Sequence, residues 1–469
     1  MITLDLRGRD LIITPEPEDA QLSMPEMLAI LFGEHLPATV RADIGRDTRH
    51  GFLRTLPIHL SKIKHALRQQ GAAFTVAFEE QPALPYVPIL SMEPRPYQDE
   101  ALTQWLAAGS AGVVVLPTGA GKTFVAAMAV AETGLWTLAV VPTLDLLQQW
   151  RVALASALSL QIEDIGIFGG GEKEFQPITV ITYDSAALYP RELSRFGLLI
   201  FDECHHLPAP TYRQIAESAF TPLRLGLSAT PERSDMAHTD LDELIGPEVY
   251  RRSPAELTEG NYLAEYSEQR VAIALSSEDT ARYEQQRAIY RSFLRRRRIS
   301  IHSPEDFQQK LIYMSARDPE ARAAMLAWRE ARNIAMNAPA KYAEIEQLLH
   351  RHADDKVLLF SEYNAVVDEL SRRFCIPSIT YKTPTEERRT ILERFRTGQY
   401  TKLASGRVLN EGVDVPDCRI AIIVSGNSTK REYIQRLGRI LRPKTGQATL
   451  YELVSTGTTE EDMAKRREM

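Results

Sequence analysis

The chain has 469 residues, of which 44% are hydrophobic and 25% charged, and its formal net charge is −7. This length exceeds what one hydrophobic core supports and indicates about three domains. We expect neither a membrane protein nor a disulfide-stapled one: no apolar run approaches the roughly 20 residues that cross a bilayer, the first residues do not have the pattern of an export signal, and three scattered cysteines fit a reducing, cytoplasmic setting. The acidic total argues against a protein that coats nucleic acid, although a local basic stripe would suffice for DNA binding.

Residues 1–85 are predicted to form a separate small α+β domain. Residues 2–6 and 11–14 alternate in polarity as a β-hairpin does, and residues 56–70 have the apolar spacing of an amphipathic helix that Gly71 ends. No residue in this domain carries obvious chemistry. We therefore interpret it as a structural or docking module, with DNA contact as the alternative.

A proline-rich stretch at residues 81–94 predicts an extended linker. It leads into Arg95-Pro96-Tyr97-Gln98, which opens a helix through Trp105. An aromatic ring and an amide can hold an adenine by stacking and hydrogen bonds, and a phosphate-binding pattern follows soon after in the chain. The pair Tyr97-Gln98 therefore suggests an adenine site, and Gln98 and the adjacent Arg95 are candidate nucleotide contacts. An ordinary surface helix is the alternative.

The stretch at residues 116–123 has the pattern of a phosphate-binding loop. It follows an apolar run at 111–115, typical of a buried parallel strand, and precedes a helical pattern at 124–132. At such a turn backbone N–H groups converge on an anion, glycines permit close approach, the lysine reaches the β- and γ-phosphates of ATP and the threonine hydroxyl binds Mg²⁺. Leu116 stands where the strict pattern has glycine. The residues assigned to the nucleotide are Pro117, Thr118, Gly119, Ala120, Gly121, Lys122 and Thr123, the last also to the metal.

Polar residues follow four further predicted strands, at residues 137–141, 178–181, 198–201 and 223–227. Function collects at the carboxyl ends of strands in parallel α/β sheets, and all four polar clusters fall there. Helix capping is the alternative explanation for serine and threonine at these positions.

The acidic pair Asp202-Glu203 has a sharper meaning, because it follows four apolar residues in a chain that already has a phosphate-binding loop. The first carboxylate would hold Mg²⁺ through water, and the second would activate the water that attacks the γ-phosphate. Asp202, Glu203 and Lys122 are therefore predicted catalytic residues, and Asp202 is also a predicted metal residue.

A charged helical stretch spans residues 278–334 and contains the run Arg295-Arg296-Arg297-Arg298, with tyrosines and a phenylalanine spaced around it. Arginines interleaved with aromatic side chains can grip a phosphate backbone or wedge between bases. Two alternatives stay open: a solvated helix end for the arginines, and an internal core for Tyr290 and Phe293.

A second α/β unit begins near Lys341. Its predicted strands end at Ser361, Ser405 and Ser425, and a helix over residues 432–442 stops before Pro443. The spacing places Gln435, Arg439 and Arg442 on one helical face, from which arginines can neutralise developing charge on a γ-phosphate. These last three residues complete the list of predicted catalytic residues.

Together these stretches resemble the superfamily 2 helicases over nearly all of residues 95–455, and within them the XPB family in its short archaeal and bacterial form. The motifs that carry the resemblance are 117–123, 141–144, 202–205, 228–230, 405–416 and 435–442, with Arg-Pro-Tyr-Gln at 95–98.

The resemblance implies an α/β fold with two RecA-like parallel-sheet domains, a small α+β N-terminal domain of damage-recognition type and a helical thumb insert. The implied bounds are 1–85 for the N-terminal domain, 86–245 for the first core domain, 246–275 with 336–469 for the second, and 276–335 for the thumb. It further implies ATP- and Mg²⁺-dependent 3′→5′ opening of duplex, fork or bubble DNA in nucleotide excision repair or transcription, beside a nuclease partner and near the prokaryotic nucleoid.

By the same resemblance, Gly412 and Asp414 contact the nucleotide, and the residues expected to contact DNA are Thr143, Thr182, Arg233, Asp235, Arg295, Arg296, Arg297, Arg298, Ser361 and Ser405. One departure concerns the family's Arg-Glu-Asp motif, whose place is taken here by Arg233-Ser234-Asp235. The missing glutamate predicts weaker strand separation.

Three functions remain open on the sequence. The chain is a helicase that separates strands, a duplex translocase that moves along DNA without separating it, or an ATP-gated binding module with negligible turnover. The intact Lys122, Asp202, Glu203 and Arg439 argue against the third. A restriction-type motor subunit is a further alternative, disfavoured because no nuclease-like carboxylate–lysine cluster lies outside the motor.

Overall fold

A computed structural model describes residues 1–7, 10–15, 22–47, 50–78, 82–189, 193, 195–232, 236–260, 262, 266–301, 304–406, 418–425 and 448–468. The chain divides into two compact units, residues 1–257 and 258–469. Across these described ranges no helix is both long and apolar enough to span a membrane.

The first unit begins with a small domain built on a five-stranded sheet of order β3-β4-β2-β1-β5. Its first two strands form the predicted hairpin, with Thr3 opposite Thr14. The helix expected after residue 56 is present and buries Leu60, Ile63 and Leu67 against the sheet. The elements are β1 Ile2–Arg7, β2 Asp10–Thr14, α1 Met24–Phe32, α2 Ala38–Ala42, β3 Gly45–Asp47, β4 Phe52–Thr55, α3 Leu60–Gln69 and β5 Phe74–Val76.

The small domain is fixed to the core domain that follows it. Phe220 belongs to the core domain by sequence but is 2% exposed within the small domain's hydrophobic core, with its ring 4.7 Å from that of Phe78. The proline-rich linker is also fixed: Leu84 N donates to Gly134 O at 2.7 Å, and Trp136 N donates to Pro82 O at 2.8 Å. The linker is therefore bonded to the first core domain at residues 82–84, and its backbone bends at residues 85–86 and 91–92.

The first core domain is an eight-stranded sheet of order β13-β6-β12-β11-β7-β10-β8-β9, parallel except for β9. Its elements are α4 Pro96–Ala107, β6 Ala111–Val115, α5 Lys122–Thr133, β7 Thr137–Val141, α6 Leu144–Ala157, β8 Ile165–Gly169, β9 Glu172–Glu174, β10 Ile178–Thr182, α7 Tyr183–Leu188, β11 Leu198–Asp202, α8 Arg213–Glu217, β12 Leu223–Ser228, α9 Leu241–Leu244, β13 Glu248–Arg251 and α10 Pro254–Glu259.

The boundary between the two core domains differs from the sequence interpretation, which began the second at residue 246. Strand β13 pairs in parallel with β6, opposite Val113 to Val115, and so completes the first sheet. The division of the chain falls after Leu257 instead. A four-residue strand with a charged residue at each end gave no apolar pattern from which this pairing could be recognised.

The insert of the second unit is helical, as expected. Its two longest helices are antiparallel, and ion pairs join the start of each to the end of the other. Arg282, near the start of the first, bonds Glu330 at 3.0 Å, while Arg297, at its end, bonds Asp318 at 2.7 Å. Tyr290 and Phe293 are 8% and 1% exposed and pack into the insert's own core, which excludes them from stacking on bases. The helices are α11 Ser277–Arg297, α12 Pro304–Phe307, α13 Tyr313–Ser315 and α14 Pro319–Met336, with a π-helical turn Gln308–Ile312.

The second core domain is a six-stranded parallel sheet of order β14-β19-β18-β15-β17-β16. A buried ion pair holds its C-terminal helix: Lys341 Nζ donates to Glu460 Oε2 and to Val424 O, each at 2.8 Å. The elements are β14 Tyr266–Ile273, α15 Pro339–Arg351, β15 Val357–Ser361, α16 Asn364–Phe374, β16 Ser378–Ile379, α17 Thr385–Thr397, β17 Lys402–Ser405, β18 Ile420–Ser425, β19 Ala448–Ser455 and α18 Thr459–Glu468.

Candidate functional site

The loop between β6 and α5 has the conformation of a phosphate cradle. Gly119 and Gly121 have φ of +86° and +78°, a region open to glycine at little cost. A Cβ at Gly121 would lie 2.6 Å from Gln98 Nε2, so a side chain there would also collide with α4. The loop therefore delivers its N–H groups at the start of a long helix, where an anion is favoured.

Two side chains of helix α4 donate hydrogen bonds to this loop. Tyr97 Oη donates to Ala120 O at 2.7 Å, and Gln98 Nε2 donates to the same oxygen at 3.1 Å. The sequence predicted an adenine contact for Gln98, and the structure gives its amide two partners within the protein: Nε2 donates to the loop, and Oε1 accepts from Arg95 N at 2.9 Å. The contact of Tyr97 with the loop was not predicted. The only sequence signal for it was that Tyr97 is adjacent to Gln98.

The acidic pair lies at the end of β11, two strands from β6 with β12 between them. This order brings the phosphate loop, the pair and the end of β12 to one edge of the sheet. Lys122 Nζ lies 3.7 Å from Glu203 Oε1. Glu203 has φ of +46°, in the left-handed region that residues with a Cβ rarely adopt, and such strain collects at functional sites.

Glu203 is held from the neighbouring strand. Ser228 Oγ donates to Glu203 Oε2 at 3.3 Å, and His205 Nδ1 lies 3.2 Å from Ser228 Oγ. Thr230 N also donates to Ser228 Oγ, at 3.1 Å. The structure thus joins residues 202–205 and 228–230, as the sequence predicted for strand ends, and adds His205, which the sequence argument left without a role.

Asp202 is 5% exposed and is bonded by Trp150, whose Nε1 donates to Asp202 Oδ2 at 2.9 Å. Burial raises the pKa of the Asp202 carboxyl above its ordinary range, and the neighbouring Glu203 carboxylate raises it further, whereas Lys122 and the Trp150 hydrogen bond oppose the shift. Burial likewise raises the pKa of the Cys204 thiol, which rules out a reactive thiolate.

The residues of this edge fit a nucleotide with Mg²⁺. Thr118 Oγ1 is buried and has no hydrogen-bond partner within the described chain, as expected of a hydroxyl whose partner is a ligand. The metal-binding groups predicted here are one carboxylate, Asp202, and one hydroxyl, Thr123. Mg²⁺ keeps waters and phosphate oxygens as its remaining ligands, so this sparse set suits it better than a metal that needs an all-protein cage.

The predicted DNA-contacting hydroxyls serve the fold. Thr143 Oγ1 accepts from Leu146 N at 3.2 Å and caps α6, and Thr182 Oγ1 accepts from Ser185 N at 3.2 Å and caps α7. Ser361 is 1% exposed and shares a 2.8 Å hydrogen bond with Ser425. The capping alternative thus accounts for both threonines, and the position of Ser361 gives it a role in joining strand ends.

Ser405 is similarly enclosed. It has no exposed surface, and its Oγ donates to Gly406 O at 3.0 Å. Its hydroxyl therefore has no route to a DNA strand in this conformation.

The arginine run of the insert is not one uniform surface. Arg297 bonds Asp318 at 2.7 Å and lies 3.6 Å from Glu320, and Arg296 lies 3.7 Å from Glu320. Arg298 ends the helix with φ of +52°. Two of the four arginines, Arg296 and Arg297, are thus paired with carboxylates at the start of α14.

The other basic face of α11 is open. Arg287, Arg291 and Arg295 recur every four residues and line a groove of about 730 Å³. Of the side chains that the structure describes, none forms an ion pair with Arg291 or Arg295. The opposite wall is the turn at residues 457–459 and the first residues of α18, which include Asp462 and Glu461, the latter paired with Lys465 at 2.9 Å; Glu284 of α11 also lines the groove.

Seven of the predicted site residues lie outside the described ranges. They are Arg233, Asp235, Gly412, Asp414, Gln435, Arg439 and Arg442. Their roles remain predictions.

Two parallel α/β sheets, one with a phosphate loop and an acidic pair at a shared edge, define a superfamily 2 helicase core. Family models agree: "Type III restriction enzyme, res subunit" matches residues 91–233, and "Helicase conserved C-terminal domain" matches residues 340–444. A "DNA 3'-5' translocase XPB2" of Sulfurisphaera tokodaii is 44% identical over 80% of this chain and 84% of its own length. The chain belongs to the XPB family of superfamily 2 helicases.

More distant relatives extend the comparison. The "DNA 3'-5' helicase XPB" of Kineococcus radiotolerans is 32% identical over 80% of this chain and 62% of its own length. The yeast "General transcription and DNA repair factor IIH helicase/translocase subunit XPB/SSL2" is 28% identical over 81% of this chain and 43% of its own length. The crystal structure of the Pyrococcus furiosus Hef helicase domain has a TM-score of 0.55 at 18% identity, covering 80% of this chain and 98% of that one, which shows the shared fold.

Proposed function

We propose that this protein is an ATP-hydrolysing motor that opens duplex, fork or bubble DNA with 3′→5′ polarity, in nucleotide excision repair or transcription. The observation that supports this most directly is the shared edge of the first core sheet. There Lys122, Glu203 and Ser228 form one hydrogen-bonded and ion-paired set. These groups belong to a chain that is a member of the XPB family.

The loop at residues 117–123 would cradle the phosphates of ATP, with Arg95 and Gln98 at the adenine side. Asp202 and Thr123 would hold Mg²⁺, which supplies charge neutralisation to the phosphates when bound. Lys122 Nζ lies 3.7 Å from Glu203 Oε1, which is too far for a tight ion pair. Lys122 would therefore be able to leave Glu203 and bind the phosphate oxygens. Gly412 and Asp414 would contact the nucleotide from the second core domain.

Glu203 would then act as the general base. Its carboxylate accepts the proton of the attacking water, while Ser228 holds the second carboxylate oxygen and so fixes its direction. Arg439 and Arg442, with Gln435 beside them, would neutralise the charge that develops on the γ-phosphate. Hydrolysis thus divides between groups of both core domains.

The groove lined by Arg287, Arg291 and Arg295 is the part of the insert best suited to a DNA strand. Successive arginines lie about 6 Å apart along the helix axis, since four residues rise 1.5 Å each. Among the side chains that the structure describes, Arg291 and Arg295 form no ion pair, so they are the arginines of this groove best placed to bind phosphates. Arg296, Arg297 and Arg298 would contribute less than the sequence predicted.

A duplex translocase that does not separate strands is the second candidate. The archaeal relative at 44% identity has the word translocase in its name, and the substitution of Ser234 for glutamate would weaken strand opening. A restriction-type motor subunit receives less support, because the curated relatives bear XPB names. A nuclease partner, and a place near the nucleoid in a prokaryotic cytoplasm, complete the proposal.

Two assays on one preparation separate the candidates. Unwinding of a labelled fork with a 3′ tail measures strand separation, and displacement of a triplex-forming strand from a blunt duplex measures translocation. A helicase gives both products with ATP and neither with a non-hydrolysable analogue. Triplex displacement without fork unwinding would establish the translocase, and neither product in the presence of ATP turnover would overturn both.

A further inference from the structure

Trp150 makes a contact that neither the motif pattern nor the family resemblance assigns. It lies on α6, 52 residues before Asp202 in the chain, and is 2% exposed. Its Nε1 donates to Asp202 Oδ2 at 2.9 Å. The main-chain N–H of Glu203 also donates to the Asp202 carboxyl.

An indole can only donate, and it does so here to a carboxylate in a buried setting. A hydrogen bond to a charged acceptor is about twice as strong as a neutral one, and burial removes the water that would compete with it. The bond commits one carboxylate oxygen to the protein and restricts the rotation of the side chain. The directions from which a metal-bound water can meet this carboxylate are then set by the protein.

We propose that Trp150 is a positioning residue for the metal carboxylate: its indole N–H fixes Asp202 in the orientation that binds Mg²⁺ through water. The inference rests on the proposed function, since it presupposes a Mg²⁺–nucleotide site at this edge. It goes beyond that function by placing on α6 a group that sets metal affinity without touching metal or nucleotide. Partners of this kind typically change metal affinity or activity by about 10–100-fold when they are removed.

The decisive experiment measures nucleotide binding rather than turnover. Binding of a fluorescent ATP analogue to the full chain is titrated at fixed Mg²⁺ concentrations and again in excess chelator. For Trp150→Phe we expect the Mg²⁺ concentration at half-maximal enhancement to rise about 10-fold or more, with affinity in chelator unchanged within about twofold. Replacement of Trp150 by β-(3-benzothienyl)alanine, which keeps the bicyclic shape and lacks only the N–H, gives the same result if the bond is responsible and covers the case in which Phe does not fold.

Trp105 provides the matched control. It is also fully buried on a helix of the same domain, and its Nε1 donates at 2.9 Å, but to a main-chain oxygen, that of Arg224. Trp105→Phe should lower the melting temperature and leave the Mg²⁺ dependence unchanged.

An unchanged Mg²⁺ requirement in a folded Trp150 variant would overturn the inference while the proposed function stands. A parent protein whose nucleotide binding ignores Mg²⁺ would overturn both. A rise of equal size in the Trp105 variant would show a general effect of core damage and would also overturn the inference.

Discussion

Ser228, the last residue of β12, donates a hydrogen bond of 3.3 Å to the carboxylate of Glu203, which follows the last residue of β11. The two strands are parallel neighbours, with Leu227 opposite Asp202. The bond therefore spans adjacent carboxyl ends and holds the proposed base in a direction set by the sheet.

Glu203→Gln should keep nucleotide binding and lose most of the hydrolysis. The amide preserves size and the bond from Ser228 but cannot accept the proton of the attacking water. General-base catalysis contributes about 10²–10⁴-fold, so a decrease of at least 100-fold in kcat is expected. Steady-state ATPase with DNA present measures it, with Glu217→Gln, a surface glutamate paired with Arg213, as the control. Hydrolysis near the parent rate would refute the assignment of Glu203.

Arg439→Ala should lower the catalytic rate far more than nucleotide affinity. The guanidinium is expected to act on charge that develops during the reaction, and an arginine finger is worth about 10³–10⁵ in rate elsewhere. Comparing kcat with the Kd of a fluorescent ATP analogue distinguishes the two effects. If turnover is unchanged, Arg439 does not act on the γ-phosphate.

Two double variants of α11 test where the insert binds DNA. Arg291→Ala with Arg295→Ala removes two groove arginines that form no ion pair with any side chain the structure describes, whereas Arg296→Ala with Arg297→Ala removes two that pair with carboxylates at the start of α14. The first should weaken DNA binding and flatten the log–log salt dependence by roughly 1.4 units on single strands or 1.8 on duplex, at about 0.7 or 0.9 per contact.

The second double variant should change the salt slope less and lower the melting temperature more, because it breaks the pairing of Arg297 with Asp318. Fluorescence anisotropy over a range of salt concentrations gives both slopes. If the two variants have equal slopes, or if the slope changes more in the Arg296/Arg297 variant, the groove is not the main DNA contact. The whole run at residues 295–298 would then be assigned that role.

Gly121→Ala should weaken nucleotide binding, because a Cβ strains the backbone at this φ and would displace the Gln98 amide from the loop. Its φ is +78°, and the new Cβ would meet Gln98 Nε2 at 2.6 Å. Gly109→Ala is a close match, since its φ is +80° and nothing lies within 4 Å of the added Cβ. Both variants should lose stability by about 1 kcal/mol or more from φ alone, but only Gly121→Ala should lose nucleotide affinity. Equal nucleotide binding by the two would contradict the close packing of α4 under the loop.

Lys341→Met should destabilise the protein by about 3–5 kcal/mol, because it leaves Glu460 buried without its cation. Both side chains are nearly inaccessible, at 1% and 3% exposed. Among the described residues, the carboxylate of Glu460 would then keep the bond from Ser455 N, at 2.9 Å, and no cation. Urea unfolding measures the loss, and the double variant with Glu460→Leu should recover most of it. A double variant as unstable as the single one would indicate that the cation's bond to Val424 O carries the effect.

The strands with continuous apolar runs were predictable, and β6 and β7 have their predicted bounds. Strand β19 was missed because Glu452 interrupts its apolar pattern. That glutamate is 2% exposed and is paired with Arg270 at 3.1 Å, 182 residues earlier in the chain. A buried charge is consistent with a strand only when its partner is known, and no local pattern supplies it.

The same limit applies to the site. Lys122, Asp202 and Glu203 were predictable because each sits in a motif whose chemistry requires it. Trp150 looks like an ordinary core residue of an amphipathic helix, and only the packing of α6 shows that its N–H reaches Asp202. The density of arginines in the insert was visible, whereas the neutralisation of Arg297 by Asp318 depends on how two helices pair.

The fixed attachment of the N-terminal domain has a mechanical consequence. Phe220 lies in that domain's core, and Pro82 and Leu84 are hydrogen-bonded to Trp136 and Gly134, so these contacts join the N-terminal domain and the first core domain in one compact unit, residues 1–257. If the N-terminal domain binds DNA, the distance between that DNA and the ATP-binding sheet is therefore set by these contacts and not by the length of a flexible linker.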